Sequence, residues 1–333
     1  MKAGRPGPAA HASGLGIPPH EAGRRNVSQL LTLEPVVARQ MPLEELLGLS
    51  WQTRQSSRPS CFEPVYPGRT LPVSVTGTGC SLNCAHCGGK YLEHMMDLDT
   101  LGQALSKKNP NSILLSGGCD YSGRVPLVPL IDRVRRILAE TNHPLRVNVH
   151  PGIVDEEEAQ VIAEFADVIS FDFIIDDETI QSAFGNFRTG RDYINTLRNL
   201  SKGQARVVPH ILVGLYKGQI RGEYQAVEFL AREGIDRLIL IVFIPTPGTR
   251  WEHLSPPDVD EVLRLIAWTR VRNPQAKITL GCMRSRGKYR QALDLGAVRA
   301  GVDAIVLPYS QALSEARRRG LRITRKEECC AFD

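Results

Sequence analysis

Eight short, β-branched runs alternate with amphipathic helical stretches along most of this 333-residue chain, and that alternation narrows the possible folds more than anything else in it. The runs fall at 72–77, 112–116, 145–149, 168–173, 206–213, 237–243, 277–281 and 303–307. Each is nearly continuously apolar, as expected for parallel strands covered on both faces. Helical patterns occupy the gaps. One starts at Asp155 and places Glu156, Glu157 and Glu158 in its first turn, where carboxylates suit the helix dipole. Another starts at Ser255, carries Pro256 near its beginning and runs to about Arg272, before Asn273 and Pro274 stop it. Eight β/α units over about 240 residues predict a (β/α)8 TIM-type barrel. A doubly wound sheet of the same count is the alternative. Chemistry in a barrel belongs at the C-terminal ends of the strands. Polar and special residues collect there, among them Ser116, Gly117, Gly118, Cys119, Asn148, His150, Asp172, His210, Gly214, Cys282 and Pro308.

Directly after the first run stands Cys80-Ser-Leu-Asn-Cys84-Ala-His-Cys87, a C-x3-C-x2-C triplet. Three thiolates so close together can hold three irons of a [4Fe–4S] cube and leave the fourth iron without a protein ligand. Zinc is the competing reading. Its sites more often pair C-x2-C elements and close with a fourth Cys or His, which His86 or His94 would supply.

With 42% hydrophobic and 23% charged residues, the chain can bury one large core or two ordinary ones. It has no apolar run of about 18 residues and no secretory h-region, which excludes a helical membrane span and predicts a cytoplasmic protein. Eight cysteines without a signal peptide point to a reducing compartment and metal ligation rather than disulfides. The net charge of +5 is dispersed except at Arg317, Arg318 and Arg319, which read as the polar face of a late helix. No nucleic-acid surface is expected. Residues 1–27 are rich in Gly, Pro, Ala and His and read as a disordered leader, followed by a helical extension over 28–60. The barrel is expected over 61–310, and a C-terminal helix with a cysteine-containing tail over 311–333.

Five further cysteines remain: Cys61, Cys119, Cys282, Cys329 and Cys330. Cysteine is commonly buried as a small hydrophobe. Cys119 and Cys282, however, sit at strand ends, and Cys329 and Cys330 sit in a polar tail. If that tail folds back over the rim, these four would form an auxiliary cluster, with Cys61 as an alternative ligand. Structural or redox-active thiols are the other reading.

The triplet resembles the signature of the radical S-adenosylmethionine superfamily. That resemblance implies a [4Fe–4S] cluster that delivers one electron to S-adenosylmethionine, and a 5′-deoxyadenosyl radical that takes hydrogen from an unactivated C–H bond. It also implies that Ser116, Gly117 and Gly118 approach the methionine amino group, although Cys119 and Asp120 stand where the family usually has Glu. An ordinary βα turn is the alternative there. Asn148 and Asp172 would hold the ribose, or else play structural roles such as helix capping. Gly214 to Glu223 resembles a loose G-x-I-x-G-x-x-E pattern that supports the adenine.

Across roughly 60–310 the chain looks like the biotin-synthase branch, on the strength of Gly281 to Gly287, Ala297 to Pro308 and Pro245 to Thr249. Biotin synthase anchors a [2Fe–2S] cluster with cysteines on its second, third and fifth strands and an arginine on its seventh. Here those places hold Cys119, His150, His210 and Cys282. The better match is to biotin-synthase homologues that act as two-component lipoyl synthases, carried by Val73 to Lys90, Ser116 to Asp120 and Gly281 to Arg284. This implies sulfur insertion into a protein-bound octanoyl chain, with an auxiliary [4Fe–4S] cluster as the sulfur source. The implied partners are an octanoylated lipoyl-carrier protein, a companion radical enzyme and a ferredoxin or flavodoxin electron donor. The same branch also holds biotin synthase, carbon-skeleton mutases and cofactor maturases. A barrel with structural zinc or an electron-transfer cluster is the reading without radical chemistry.

Overall fold

The computed structural model describes residues 35–185 and 187–333. The expected leader and the first part of the extension lie outside the described residues. The strands are β1 (Cys61–Val65), β2 (Thr70–Ser74), β3 (Met96–Asp97), β4 (Ser112–Ser116), β5 (Arg146–Val149), β6 (Val168–Asp172), β7 (Arg206–Val213), β8 (Arg237–Val242), β9 (Lys277–Leu280), β10 (Ala304–Val306) and β11 (Arg322–Ile323). They form one sheet in the order β11-β1-β10-β9-β8-β7-β6-β5-β4-β2-β3, and every pair is parallel. The eight expected strands are β2 and β4 to β10, and the fold is the expected α/β barrel. β1, β3 and β11 are additions. Pro64 and Glu63 break the apolar pattern of β1, and β3 and β11 have two residues each, too few to show a period.

The helices are α1 (Pro35–Gln40), α2 (Leu43–Ser57), α3 (Leu101–Lys108), α4 (Ile131–Ala139), α5 (Glu156–Phe165), α6 (Asp177–Phe184), α7 (Gly190–Leu200), α8 (Glu223–Arg232), α9 (Val259–Arg272), α10 (Lys288–Arg299) and α11 (Ser310–Arg318). Asp155 caps α5 through a reciprocal box: it accepts from Glu158 N at 3.0 Å, and Glu158 accepts from Asp155 N at 3.4 Å. α9 begins at Val259 rather than Ser255, because Asp258 takes the cap and accepts from the Asp260 and Glu261 amides. Its Val262, Leu263, Leu265, Ile266 and Trp268 are all buried, since α2 covers the side turned away from the sheet. The described part of the N-terminal extension thus docks on the barrel. Arg264 donates to Ala38 O at 3.1 Å and to Met41 O at 2.5 Å, and Ser50 donates to Ala300 O at 2.5 Å.

Asp303 organises the charge beneath this packing. Its carboxylate lies 2.5 Å from Arg270, 3.1 Å from Arg58 and 3.7 Å from Arg54, and it accepts from Ile278 N at 2.9 Å. Burial alone would raise its pKa; the three guanidinium groups and the amide hold it below the usual carboxylate range instead.

The tail takes an unexpected path. It does not fold over the C-terminal rim. It pairs with β1 through β11, and Cys329 N then donates to Thr70 Oγ1 at 2.8 Å. Glu328 pairs with Arg146, and Asp333 pairs with Arg237 and, at 2.5 Å, with Arg206. Thr70, Arg146, Arg206 and Arg237 are the first residues of β2, β5, β7 and β8. The tail therefore closes the N-terminal end of the barrel. There Ala331 and Phe332 pack against Val168, Val208, Ile239 and Ile241. The hydrophobic contact and the ion pairs act together to fix it. No helix among the described residues is long and apolar enough to cross a membrane.

Candidate active site

Residues 75–95 form the loop that carries the triplet after β2. Hydroxyls shape its start: Ser74 donates to Gly77 O at 2.6 Å, Thr76 donates to Gly79 O at 2.9 Å, and Gly118 N donates to Thr76 Oγ1 at 2.7 Å. Neighbouring elements then pin the turn of the triplet. Ser81 N bonds Cys119 O, Ala85 N bonds Ala183 O of α6, and Arg250 donates to Asn83 O. Cys84, His86 and Cys87 bring their ligand atoms within 4.8 Å of one another. His86 Nδ1 is buried with no hydrogen-bond partner. The Cys84 thiol donates toward Cys87, which, helped by His86, lowers Cys87 to about 4 and raises Cys84. Cys80 is turned to the Cys119 carbonyl at 3.8 Å, and its charge is felt at Cys84 and Cys119. Three thiols around one space, with a thiolate already favoured, fit a [4Fe–4S] cluster whose irons would be held by Cys80, Cys84 and Cys87.

A chamber of about 390 Å³ lies inside the barrel next to this loop, within the ~300–1,000 Å³ range of ligand pockets. Leu114, Ile153, Phe171, Ile239, Ile241 and Phe243 give it apolar walls. Strand alternation explains the polar residues among them, since β6 and β7 turn Asp172 and His210 inward and His150, the residue just past β5, joins them. His150 Nε2 stands 3.4 Å from Asp172, and the two imidazoles meet edge to face at 6.2 Å. Burial opposes charge on both partners, but their pairing prevails: His150 is raised and Asp172 lowered. Burial lowers His210 to about 4, against the pull of Asp172. Its Nδ1 lies 3.0 Å from Val208 O. A neutral ring there carries its proton on Nδ1 and leaves the Nε2 lone pair free.

The structure separates the expected site residues. Ser116, Gly117, Gly118, Cys119, Asp172 and Cys282 all line the chamber with the triplet. Ser116 spends its hydroxyl on His150 O at 3.0 Å. Gly118 lies so close to the triplet loop that an added Cβ would sit 1.9 Å from Gly79 O, so glycine is required there for backbone approach. Asn148 does not reach the chamber. It is fully buried, donating to Ser170 Oγ at 3.0 Å and to Cys329 Sγ at 3.5 Å, which argues against a ribose role. Gly214 is also outside; it packs under Pro257, and its N–H is capped by Glu223 at 2.7 Å. Cys61 starts β1 beside Arg322 and lines no part of the chamber.

The surplus thiols divide into two groups. Cys119 belongs with the triplet: burial raises it to about 12, with Cys80 as the strongest neighbouring charge. Cys282 lines the chamber from the turn after β9, where its neighbour Met283 packs with Cys329 and Cys330 on the apolar cluster of Ala331 and Phe332. Cys330 lines the same chamber from the N-terminal side, and Cys329 lies beside it and near His150. The single four-cysteine set with Cys119 is thereby corrected. Sequence reasoning missed Arg284, which is fully buried. It pairs with Asp294 at 2.6 Å and donates to Gly281 O and Val306 O, fixing the turn that presents Cys282. An arginine two residues beyond a strand-end cysteine was the available signal.

No protein-family model matches the chain. It is 28% identical over 282 residues to the biotin synthase of Halorhodospira halophila, covering 78% of this chain and 81% of that one. Among solved structures it is similar to methylornithine synthase (TM-score 0.60, 15% identity, 90% of this chain and 93% of that one). It is also similar to HydG, a maturase of the [FeFe]-hydrogenase (TM-score 0.64, 14% identity, 90% and 71%). The structural likenesses show the barrel fold. Together with the sequence similarity they support the radical S-adenosylmethionine superfamily and its biotin-synthase-like branch. The similarity to a biotin synthase is in keeping with a [4Fe–4S] cluster and S-adenosylmethionine at the triplet; the ligand atoms of Cys84, His86 and Cys87 would also admit zinc.

Proposed function

We propose that this chain is a radical S-adenosylmethionine enzyme that inserts sulfur into an unactivated C–H bond of a protein-bound octanoyl chain, as one half of a two-component lipoyl synthase. The observation that carries this reading is a second group of thiols, Cys282 and Cys330, facing the chamber that the Cys80–Cys84–Cys87 loop also faces. Bound at the triplet, the cluster and S-adenosylmethionine supply the radical that activates the C–H bond. The chain supplies position and dryness. Gly118 and Thr76 set the triplet loop, and the apolar walls exclude water from a reactive carbon. Among the described residues, no Lys or Arg lines the chamber. The His150 imidazole is already paired with Asp172, so a substrate with a free carboxylate would find no unpaired cation there, whereas an alkyl chain suits the walls. An octanoylated carrier, a companion protein and a ferredoxin or flavodoxin complete the proposal.

The test is anaerobic incubation of the reconstituted protein with an octanoyl-lysine peptide, S-adenosylmethionine and reductant, with and without the companion, read by mass spectrometry. Sulfur insertion adds the mass of one sulfur to the peptide and forms 5′-deoxyadenosine. If 5′-deoxyadenosine forms and the peptide mass never changes, the substrate assignment fails. The second reading is then favoured: another biotin-synthase-like radical enzyme, whether a biotin synthase, a mutase or a maturase. Similarity over 81% of a biotin synthase supports that reading. Failure to form 5′-deoxyadenosine at all, with any substrate, removes both.

A further inference from the structure

The mouth of the chamber carries two surface features that the proposed chemistry does not use. On the β4 and β6 side stand Tyr121 and Phe187, 78% and 70% exposed, the two aromatic members of the large exposed hydrophobics among the described residues. Their loops follow chamber-lining Cys119 and Phe184 and are locked to each other. Arg188 donates to Ser122 O at 2.8 Å and lays its guanidinium 4.8 Å over the Phe187 ring. Asp120 accepts from the Ser122 and Arg124 amides and so fixes the turn that holds Tyr121 outward. Rings displayed this way lose little freedom when a partner covers them. The sheet order places β8 four strands from β4, across the barrel. On that side the turn 281–290 carries four basic residues and no acidic one. Arg284 and Arg290 share Asp294, at 2.6 and 4.0 Å. Arg286 and Lys288 are exposed and, among the described residues, have no carboxylate partner. The same holds for Arg250, which is exposed and donates to Asn83 O of the triplet loop at 3.1 Å. Neighbouring carboxylates are engaged elsewhere: Glu252 accepts from Gly248 N, and Glu93 pairs with Lys90.

We infer that this rim is the docking surface for an acidic carrier domain. The aromatic pair grips it on one side and Arg250, Arg286 and Lys288 on the other, and its acylated side chain reaches down between them. The inference rests on the reading of the substrate as protein-bound and adds the surface that recognises the protein. A folded domain cannot follow its acyl chain into a chamber of about 390 Å³, so it sits on the mouth. One body that touches both sides covers the opening and completes the exclusion of water that the tail begins at the other end. Charge selects the occupant. Residues 1–34 of the chain itself hold four basic and two acidic side chains, a net +2, and would meet three unpaired cations. An acidic surface meets them with complementary charge, which speeds encounter and sets orientation.

The experiment uses the full reconstituted chain, with an octanoylated lipoyl-carrier protein of acidic surface as the probe and the companion protein as a second probe. Affinity is read by calorimetry at low and high salt. The double variant Arg286→Glu, Lys288→Glu should bind the carrier about tenfold more weakly at low salt, and the difference should shrink at high salt as the charges are screened. The double variant Tyr121→Ser, Phe187→Ser should lose about tenfold or more at both salts, because covered aromatic contacts are not screened. All four side chains are exposed, so both variants should fold, with wild-type iron content and wild-type 5′-deoxyadenosine formation in the absence of carrier. Equal carrier affinity in wild type and both variants overturns the surface. Tighter carrier binding on charge reversal overturns the acidic occupant. Loss of affinity for the companion, with the carrier unaffected, assigns the rim to the companion and overturns the proposal. These outcomes are separable from the proposed activity. Rim-dependent binding of a carrier whose octanoyl chain is never altered supports the surface and refutes sulfur insertion, whereas sulfur insertion into the carrier at equal efficiency in all variants refutes the surface alone.

Discussion

Gly118→Ala is the sharpest perturbation of the triplet loop. The new Cβ would stand 1.9 Å from Gly79 O and 2.7 Å from both Cys80 Cα and Cys80 Cβ. Real Cβ atoms essentially never approach closer than 3.0 Å, so the loop at Gly79 must retreat by about 1.1 Å, the shortfall from 3.0 to 1.9 Å. The obstructing atoms are backbone or, for Cys80 Cβ, fixed directly to it, so no rotamer change can absorb the move. Overpacking of this kind costs about 1–3 kcal/mol. The 2.7 Å bond from Gly118 N to Thr76 is strained with it, at about 0.5–1.5 kcal/mol. The larger consequence is positional: a displacement of about 1 Å at a reacting centre can cost ~100-fold in rate. Gly118→Ala is therefore expected to fold with modest destabilisation, to bind substoichiometric iron at the triplet, and to form 5′-deoxyadenosine about 100-fold more slowly. Iron analysis and timed chromatography of 5′-deoxyadenosine read both effects. Gly117→Ala, whose Cβ would meet Thr76 and Val75 side chains at 3.1 Å, should be milder because side chains yield. Gly48→Ala in α2, with nothing within 4 Å, should be neutral or stabilising by about 0.5–1 kcal/mol. Wild-type iron and a rate within about threefold for Gly118→Ala would refute the close-approach argument, since a 1 Å shift predicts far more.

Three other outcomes are expected. Asp303→Ala leaves Arg270 and Arg54, both almost completely buried, without their carboxylate, and should cost about 3–5 kcal/mol in urea unfolding; a loss below about 1 kcal/mol would mean that the carbonyls around Arg270 suffice. In the metal-free protein His210 titrates near 4, below its ordinary 6.5, so the unfolded chain takes up the proton first. Its contribution is present above pH 6.5 and is lost as pH falls toward 4, by at most about 3 kcal/mol, so a pH series of melting temperatures should fall across that window and flatten in His210→Phe. Asp155→Ala removes the side-chain half of the α5 capping box, leaving Glu158 on the residue-155 amide, and should cost about 1 kcal/mol with no change in iron content.

The sequence carried the barrel because parallel strands buried on both faces leave long β-branched runs, and β4 to β10 all do so. The C-x3-C-x2-C spacing carried the triplet for an equally local reason: three ligands on one loop need no tertiary information. Asn148 and Gly214 were misplaced because strand-end position alone says neither how deep a residue sits in the barrel nor what packs on it. Asn148 lies two residues before His150 and shares its inward face, but it sits one layer lower, where Ser170 and Cys329 take its amide. Gly214 is glycine for a positive φ of 78° and for close approach to Pro257. The tail was the hardest feature to foresee. Its path is set by contacts with Thr70, Arg146, Arg206 and Arg237, spread over 168 positions of sequence, and no local period encodes them.

That path also explains why the strands begin as they do. A barrel that houses reactive chemistry needs both ends sealed, and its N-terminal end ordinarily closes with a packed layer of strand side chains. Here the inward residues at that end are small or β-branched, namely Thr70, Val168 and Val208, and they leave room rather than fill it. Phe332 and Ala331 occupy the room. Arginines at the first positions of β5, β7 and β8 then make sense as a collar for the acidic tail, through Glu328 and Asp333. Without the tail, Val168, Val208, Ile239 and Ile241 would face water and the chamber would open at its floor. The same segment that seals the chamber delivers one of its thiols, Cys330, with Cys329 beside it. Dryness and the second thiol group thus depend on one structural event, the docking of residues 322–333, and a change that loosens the tail removes both together.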